Sequence, residues 1–343
     1  MGGTPRVERI LRGISMKQIQ KPFLSILLTI CILVTALPGC RKNAEPITKT
    51  GFYFDTVIQI TLYDNSKESL IDDCFEMAGK FEKLVSTTVA GSDIDRLNRA
   101  GGVPVAVSAE TLALLEKGLS YCTMSQGAFD ITIGALTNLW DIKDNPGRLP
   151  DPADIDHACA TVGYENILID GNEVTLTNPE TQLDLGAIAK GYIADRMKEY
   201  LMENGVTQGI INLGGNVLTL GPKSDGTAYK IGIQRPFAED GSSLMTVEVT
   251  DRAVVTSGIY QRYFELDGVI YHHILDQNIG YPFQNGLLSV TIICEKSVDG
   301  DALSTTCFAL GLEKGMALVE SLADTEAVFI TEDYKVVKSS GMK

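Results

Sequence analysis

The segment from Asp299 to Thr305 carries a carboxylate and a hydroxyl at a spacing that suits a divalent cation. Asp301 and Thr305 are four residues apart, and side chains at that spacing share one face of a helix. Carboxylate and hydroxyl oxygens are ligands that a hard cation such as Mg²⁺ accepts. The same pattern also fits an ordinary helix start, because Asp is common at helix N-termini. From this segment alone both interpretations stay open.

A second candidate site lies in the segment Leu183–Arg196, whose sequence is LDLGAIAKGYIADR. Its pattern predicts a short strand at Leu183–Leu185 and then a helix that continues to about Glu203. The N-terminus of a helix has unpaired N–H groups and partial positive charge, so it suits a phosphate. Asp184 and Lys190 are the charged residues within reach. An ordinary strand–helix unit with Asp184 as a cap is the alternative, because this pattern is common.

Two further polar clusters stand at the ends of predicted elements, Gly127–Asp130 and Tyr271–Asp276. The second contains His272 and His273, and a histidine there could act as a general base. Taken singly, each histidine fits a half-buried strand residue better. The chain has no Walker A loop and no GxGxxG, GxSxG or HExxH motif. Any nucleotide is therefore bound in some other way.

The composition is that of a folded and acidic protein. Of 343 residues, 44% are hydrophobic and 21% are charged, and the net charge is −15 at pH 7. These proportions exclude a disordered chain. The acidity makes general binding of nucleic acid unfavourable, so we expect no nucleic-acid partner. The cysteines after Cys40 are odd in number and form no CxxC pair, so neither a zinc site nor a disulfide framework is indicated.

The first forty residues have the pattern of an export signal. Basic residues precede an apolar run from Phe23 to Leu37, and Gly39 stands directly before Cys40. This order is typical of a secretory signal, and the cysteine resembles that of a bacterial lipobox. We therefore expect removal of residues 1–39 and a lipid at Cys40, which would anchor the protein to the outer side of the cell membrane. An uncleaved anchor is the alternative, although the run is short for a full span.

The rest of the chain is predicted to be one α+β unit. Residues 41–50 are expected to be a polar tether, and residues 51–343 to form one domain, because strands and helices interleave along it. The main predicted elements are strands at Phe54–Tyr63, Gly209–Leu213, Tyr229–Gln234, Met245–Thr250, Tyr263–Glu265, Val269–His273, Leu288–Cys294, Ala327–Ile330 and Val336–Lys338, a hairpin at Ile167–Thr177, and helices at Ser66–Val85, Ser108–Met124, Asp154–Val162, Asp301–Leu310 and Leu312–Leu322.

Taken together, the ordered motifs resemble those of the FAD:protein FMN transferase family, also called ApbE. One such motif is weak evidence, whereas eight in the family's order, spanning residues 54–305, are specific. The resemblance implies a single ApbE-like domain of mixed sheets packed with helices. The matching stretches are Phe54–Thr56, Ser92–Asn98, Gly127–Asp130, Asp184–Tyr192, Asn212–Asn216, Ser257–Tyr260, His273–Asp276 and Asp301–Thr305.

The resemblance implies an Mg²⁺-dependent enzyme that splits FAD, transfers the FMN half through a phosphoester bond to a Thr or Ser hydroxyl of an acceptor protein, and releases AMP. It implies that Asp301, the Thr305 hydroxyl and the backbone carbonyl of Ala187 hold the metal. Lys190 would add a second positive charge, and His273 would act as a base or orienting group for the acceptor hydroxyl. The residues implied to contact FAD are Phe54, Thr88, Ala128, Phe129, Asp130, Asp184, Lys190 and Ile274.

The sequence departs from the family in the loop after Asp276, where Gln277–Gly280 lacks the usual Pro and Thr. The choice of acceptor is the property most affected, and the acceptors that the family suggests are membrane and extracellular redox proteins. The chain has no acceptor motif of the Ser/Thr-Gly-Ala-Thr kind, so we expect no self-flavinylation. Two alternative functions are an FAD pyrophosphatase that yields FMN and AMP, and a flavin-binding surface lipoprotein without catalysis.

Overall fold

The structure, a computed structural model, describes residues 45–238 and 240–342. The predicted export signal (1–39), the lipidation site at Cys40 and residues 41–44 of the predicted tether lie outside the described residues. Within the described ranges, strands and helices interleave along the chain, as expected for an α+β fold.

The strands and helices are numbered here in chain order. The strands are β1 (Ile47–Tyr53), β2 (Thr56–Leu62), β3 (Val105–Ala106), β4 (Ile167–Asp170), β5 (Glu173–Leu176), β6 (Gly209–Leu213), β7 (Asn216–Leu220), β8 (Tyr229–Gln234), β9 (Ser243–Val249), β10 (Ala253–Gly258), β11 (Tyr263–Leu266), β12 (Val269–His272), β13 (Leu287–Cys294), β14 (Glu326–Thr331) and β15 (Val336–Lys338). The α-helices are α1 (Ser69–Val85), α2 (Asp93–Arg99), α3 (Ala109–Met124), α4 (Gly134–Trp140), α5 (Pro152–Cys159), α6 (Ala189–Glu203) and α7 (Ser297–Glu320).

A central sheet of eight strands has the order β1-β2-β6-β7-β10-β13-β14-β15, which follows the chain from one edge to the other. Every neighbouring pair in it is antiparallel. Strand β13, with the sequence LLSVTIIC, is buried at all of its positions. Such a continuous apolar run is typical of a strand that is covered on both faces. Smaller sheets form from β3-β5-β4, from β8-β9 and from β11-β12.

Helices α6 and α7 pack against each other, and α7 also packs against β10 and β13. Among the described residues, α7 is the one helix whose length and composition would allow it to cross a membrane. Twelve of its residues, including Asp301, are buried in the core, and Gly311 interrupts it with a φ of 76°. These features are those of a core helix in a globular domain. The break at Gly311 matches the predicted boundary between two helices.

A second apolar cluster holds the loop that follows Asp276. Trp140 is 1% exposed, and its Nε1 donates a hydrogen bond of 2.7 Å to the carbonyl of Gly280. Its ring also stacks on Tyr271 and meets Tyr281 edge-on. Because a buried indole N–H needs an acceptor, this bond fixes the loop against α4.

Two predicted segments differ from the structure. Strand β1 begins at Ile47, so residues 47–50 of the predicted tether belong to the sheet. The predicted strand at Leu183–Leu185 does not form, and the nearest pairing is a single bridge between Ile133 and Gln182. The carboxylate of Asp184 holds the segment in this irregular conformation, because one oxygen accepts from the backbone N–H of Gly186 and the other from the distant Thr137 hydroxyl.

Two other elements of the structure also differ from the prediction. Strand β10 was not predicted at all, although it lies between β7 and β13 in the central sheet. Helix α7 begins at Ser297, four residues before the predicted start at Asp301. Asp301 therefore lies in the second turn of a helix and does not cap it.

Candidate functional site

The carboxylate of Asp301 lies where α6 and α7 meet, and Asp301 is only 5% exposed. Its Oδ2 accepts a hydrogen bond of 2.8 Å from the backbone N–H of Gly191. Lys190 Nζ is 3.9 Å from Oδ1 and donates to the carbonyl of Gly186 at 2.8 Å. Burial raises the pKa of Asp301, whereas the nearby Lys190 ammonium lowers it. The structure thus brings together the predicted residues Lys190 and Asp301, which are distant in sequence.

The close approach of the two helices depends on Gly191. A Cβ atom at this position would lie 2.3 Å from the carbonyl oxygen of Ser297 and 2.6 Å from the Cα of Val298. Asp195, one turn further along α6, accepts hydrogen bonds from the backbone N–H groups of Ser297 and Val298 at 2.8 and 2.9 Å. It therefore caps the N-terminus of α7 from the neighbouring helix. Burial raises the pKa of Asp195 to about 6.

The same arrangement leaves the backbone carbonyl of Ala187 without its usual helical donor. In a regular helix the N–H of Gly191 would donate to the carbonyl four residues earlier, which is that of Ala187. Here that N–H donates to Asp301 instead, and no other described residue donates a hydrogen bond to the Ala187 carbonyl. A half-buried carbonyl without a donor is unusual and is free to bind a cation.

The hydroxyl of Thr305 belongs to a cluster one turn after Asp301. Ser257 Oγ, at the end of β10, lies 3.0 Å from Thr305 Oγ1 and 2.8 Å from Ser304 Oγ. Ser304 Oγ donates to the carbonyl of Asp301 at 3.0 Å. The described residues contain no group of three or more His, Cys, Asp or Glu that could hold a metal. A metal here would therefore need backbone and hydroxyl oxygens besides Asp301, and Ala187 and Thr305 offer such oxygens.

The segments around Asp184 and Asp130 lie side by side. The backbone N–H of Asp184 donates to the carbonyl of Ile131 at 2.8 Å, and its Oδ2 accepts a hydrogen bond of 2.8 Å from the Thr137 hydroxyl. Asp130 is buried, and its two carboxylate oxygens accept hydrogen bonds from Thr132 and from the backbone N–H of Tyr164. Burial raises the pKa of Asp130 against these bonds. The buried Asp130 carboxylate therefore holds the loop at Thr132 against the backbone at Tyr164.

The loop that contains Ala128 and Phe129 borders a cavity of about 630 Å³. Phe129 is buried, whereas Ala128 is half-buried and lines the cavity. Gln277, in the loop after Asp276, donates from Nε2 to the carbonyl of Gly127. Its Oε1 is buried and has no hydrogen-bond partner among the described residues. The clamp by Gln277 was not predicted, because it joins residues 150 apart in sequence.

Phe54 and Thr88 lie in two surface loops. Phe54 is in the β1–β2 turn with a φ of 52°, and its backbone N–H donates to Glu82 Oε1 at 2.6 Å. The turn packs tightly against Gly214, where a Cβ would lie 2.1 Å from the hydroxyl oxygen of Thr56. Thr88 is exposed between α1 and α2, and its described hydrogen bonds go to Ser86. Among the residues that the structure describes, no hydrogen bond or ion pair joins Thr88 to Asp301.

His273 lies at the end of β12, next to the buried Ile274. Its Nδ1 is 3.2 Å from the carbonyl oxygen of Arg262. Because a carbonyl can only accept, Nδ1 carries the proton and Nε2 keeps a free lone pair. Desolvation lowers the pKa of His273 to about 3, with smaller contributions from neighbouring groups that include Lys190. The imidazole is therefore neutral at physiological pH.

The neighbouring His272 should make the free energy of unfolding depend on pH. It is 3% exposed, its Nδ1 accepts from the N–H of Ile274, and its Nε2 donates to the carbonyl of Phe283 at 2.9 Å. Burial lowers the pKa of His272 to about 4. In the unfolded chain the pKa is about 6.5, so as the pH falls below that value the unfolded chain binds the proton first. The stability from neutral His272 is thus complete above pH 6.5 and is lost towards pH 4.

Replacing His272 by Gln should therefore destabilise the protein less at pH 5 than at pH 7.5. The destabilisation at pH 5 should be smaller by about 2 kcal/mol. Between pH 7.5 and pH 5 the unfolded chain gains about 1.5 pH units of protonation below its pKa of about 6.5, and each unit corresponds to about 1.4 kcal/mol. Urea unfolding followed by circular dichroism measures both losses. Equal losses at the two pH values would show that His272 is not a neutral, buried group.

Comparisons with known proteins identify the family of this chain. A model of the ApbE family matches residues 54–329. An FAD:protein FMN transferase of Klebsiella pneumoniae (strain 342) is 39% identical over 286 residues, 82% of this chain and 88% of that protein. One of Treponema pallidum (strain Nichols) is 32% identical over 334 residues, 91% of this chain and 92% of that protein.

Solved structures show the same fold. The ApbE protein of Thermotoga maritima MSB8 superposes with a TM-score of 0.80 at 29% identity and covers 86% of this chain and 97% of its own. The flavin transferase ApbE from Vibrio cholerae superposes with a TM-score of 0.78 at 29% identity and covers 87% of this chain and 98% of its own. Since the family model matches most of the chain and the fold agrees over nearly the whole of these structures, the chain belongs to the ApbE family.

Proposed function

We propose that this protein is an Mg²⁺-dependent enzyme that transfers FMN from FAD to a Thr or Ser hydroxyl of an acceptor protein and releases AMP. The relatives from Klebsiella and Treponema are named FAD:protein FMN transferases, and the Vibrio protein is named a flavin transferase. The observation that carries the proposal is the buried Asp301 carboxylate beside Lys190 and the free carbonyl of Ala187. Such a set suits a metal-assisted reaction on a pyrophosphate.

The chemistry requires that the acceptor oxygen bond to the phosphorus of the FMN half while the bond to the AMP half breaks. Phosphoryl transfer of this kind depends chiefly on positioning and on neutralising charge. Asp301, Thr305 and the Ala187 carbonyl would hold Mg²⁺, and all three offer the hard oxygen ligands that it prefers. When bound, Mg²⁺ would supply charge neutralisation at the pyrophosphate and at the leaving AMP.

Lys190 provides a positive charge that the protein itself supplies to the pyrophosphate. Its ammonium is held by the carbonyl of Gly186 and lies just outside hydrogen-bonding distance of Asp301. The Lys190 ammonium can therefore turn towards a phosphate while the Asp301 carboxylate keeps its hydrogen bond from the N–H of Gly191. The net charge of −15 does not oppose an anionic substrate, because the positive groups act at close range.

His273 is suited to take the proton from the acceptor hydroxyl. Its Nε2 lone pair is free because Nδ1–H donates to the carbonyl of Arg262. Its low pKa keeps it neutral before the substrate binds. A bound pyrophosphate would raise this pKa by its negative charge, which makes the imidazole a stronger base when it is needed.

FAD would occupy the space bordered by the remaining residues that the family resemblance names. Ala128, Phe129 and Asp130 form the loop beside the cavity, and Asp184 lies against the carbonyl that follows them. Phe54, Thr88 and Ile274 lie on three further segments and would complete the contacts. The acceptor would be a membrane or extracellular redox protein.

Residues 1–39 are proposed to be an export signal, and Cys40 the lipid-bearing N-terminus on the outer side of the membrane. The support is the order of basic run, apolar run and Gly39-Cys40 in the sequence. Strand β1 begins at Ile47, so six residues separate Cys40 from the sheet.

The function is tested by incubating the purified protein with FAD, Mg²⁺ and a peptide that carries a Thr-containing acceptor motif. We expect AMP and FMN-modified peptide in equal amounts. Chelation of Mg²⁺ by EDTA should remove both, because Lys190 alone offers one positive charge to a pyrophosphate that carries two negative charges. Chromatography measures AMP, and mass spectrometry measures the peptide. AMP with free FMN for every acceptor offered would identify an FAD pyrophosphatase instead. Intact FAD in the presence of Mg²⁺ would identify a flavin-binding protein.

A further inference from the structure

Three hydroxyl groups between β10 and α7 form a continuous chain of hydrogen bonds. Thr305 Oγ1 is 3.0 Å from Ser257 Oγ, which is 2.8 Å from Ser304 Oγ. Ser304 Oγ is in turn 3.0 Å from the carbonyl oxygen of Asp301. Ser304 is fully buried, and Ser257 and Thr305 are half-buried. This series of hydrogen bonds thus connects Thr305 and Ser304 of α7 through Ser257 on the neighbouring strand β10.

The direction of every proton in this chain follows from its last member. A carbonyl oxygen has no proton, so the Ser304 hydroxyl must donate to Asp301. A hydroxyl has one proton only, so Ser304 must accept from Ser257. The proton of Ser257 is then used, and Thr305 must donate to Ser257 by the same rule. The hydrogen bonds therefore run from Thr305 to Ser257, to Ser304 and to the Asp301 carbonyl.

This direction decides what the Thr305 hydroxyl presents to the site. Its proton points towards Ser257, and no other described residue bonds to its oxygen. The lone pairs of Thr305 Oγ1 therefore face away from Ser257, and lone pairs are what a hard cation needs from a hydroxyl. A Thr305 hydroxyl with the opposite orientation would point a proton at a cation and repel it.

We infer that Ser257 is a positioning residue that orients the Thr305 hydroxyl as a cation ligand. The inference rests on the proposed function, because it assumes that Thr305 holds Mg²⁺. Ser257 itself does not bind the cation. It accepts the proton of Thr305, and it can do so without ambiguity only because Ser304 accepts its own. Polar partners behind metal ligands commonly fix the ligands in this way.

The inference is tested with Mn²⁺ as an electron-paramagnetic-resonance probe of the cation site, measured without FAD. Ser257→Ala should weaken Mn²⁺ binding by about 10- to 100-fold, which is the usual effect of removing such a partner. Ser257→Thr keeps the hydroxyl and should bind Mn²⁺ as the unmodified protein does. Ser304→Ala leaves Ser257 free to donate either way and should cause a smaller loss than Ser257→Ala.

Thr256→Val is a matched control, because Thr256 is the preceding residue of β10 and its hydroxyl pairs with Thr291 at 2.8 Å, apart from the chain to Asp301. It should leave Mn²⁺ affinity unchanged. Thr305→Val should weaken Mn²⁺ binding at least as much as Ser257→Ala. Thermal unfolding of each variant separates misfolding from loss of orientation.

Two results would overturn the inference in distinguishable ways. If Thr305→Val weakens Mn²⁺ binding and Ser257→Ala does not, the proposed metal site stands and the positioning role of Ser257 is wrong. If the unmodified protein does not bind Mn²⁺, or Thr305→Val binds it normally, the proposed metal ligands are wrong and the role of Ser257 falls with them.

Discussion

Asp301→Asn should abolish FAD cleavage and leave the protein folded. The carboxylate is the only charged ligand among the three proposed for Mg²⁺, so its loss should slow AMP release at least a thousand-fold, about 4 kcal/mol in the barrier. The asparagine can still accept a hydrogen bond from the N–H of Gly191. The substitution also removes a buried carboxylate, and burial already raises the pKa of that group. The free energy of unfolding should therefore stay the same or rise. AMP release and urea unfolding are the two measurements.

Asp299→Asn is the matched control for that prediction. Asp299 lies in the same helix, but its carboxylate accepts from the Tyr121 hydroxyl at 2.8 Å and pairs with Lys117 at 2.6 Å. Its loss should change AMP release only slightly, because neither partner belongs to the proposed site. If Asp301→Asn retains most of its activity, or if both variants lose it equally, Asp301 does not have the proposed role.

Gly191→Ala should destabilise the protein and impair catalysis together. The added Cβ would lie within 2.6 Å of backbone atoms of Ser297 and Val298, which cannot move aside as a flexible side chain can. Overpacking of this kind costs about 1–3 kcal/mol or more, and the gain of about 1 kcal/mol in helix propensity offsets only part of it. Because the close contacts are with backbone atoms, we expect a cost at the top of this range, about 3 kcal/mol, and therefore a net fall of about 2 kcal/mol in the free energy of unfolding. FAD cleavage should fall too, because the N–H that bonds Asp301 is displaced.

Gly79→Ala provides the comparison, since Gly79 is also a helical glycine but lies in α1. Its nearest neighbour is the Cε1 atom of the Tyr53 ring at 3.3 Å, a side chain that can shift. The same substitution should here be neutral or stabilise the protein by up to about 1 kcal/mol. Urea unfolding measures both variants. A Gly191→Ala protein as stable as Gly79→Ala would show that α6 and α7 are not in the close contact described.

The periodic elements of the fold could be predicted from the sequence because local packing determines them. Apolar residues recur at helical spacing along α6 and the residue before it, namely Ile188, Tyr192, Ile193 and Met197. Ile188, Ile193 and Met197 are fully buried, whereas Tyr192 is half-buried. The hairpin at Gly171-Asn172 was also confirmed, because a Gly-Asn pair between two strands has few other conformations. These elements depend on neighbours within a few residues.

Strand β10 could not be predicted in the same way. Its sequence AVVTSG is a short apolar run followed by small residues, which fits a strand or a buried loop equally well. It becomes a strand because β7 and β13 pair with it from either side. Strand propensity depends on such neighbours, and they are distant in sequence. Because β10 was not predicted, the position of Ser257 beside α7 could not be predicted either.

The candidate site was predictable as a set of residue types but not as a set of contacts. The sequence motifs named Asp301, Lys190 and Ala187, and the structure joins the helices that carry them. That the N–H of Gly191 bonds to Asp301 and leaves the Ala187 carbonyl free could not be foreseen, because it depends on how two helices meet across 110 residues. The capping of α7 by Asp195 was missed for the same reason.

The order of strands in the central sheet has a consequence for when the site comes into existence. The sheet follows the chain from β1 to β15, so strands can be added one after another in chain order. Ala187 and Lys190 lie just past the middle of the chain, Ser257 follows, and Asp301 and Thr305 come last. The proposed metal site is therefore completed only when α7 packs against the sheet and against α6. A chain that ends before α7 has six of the eight strands of the central sheet but lacks Asp301 and Thr305.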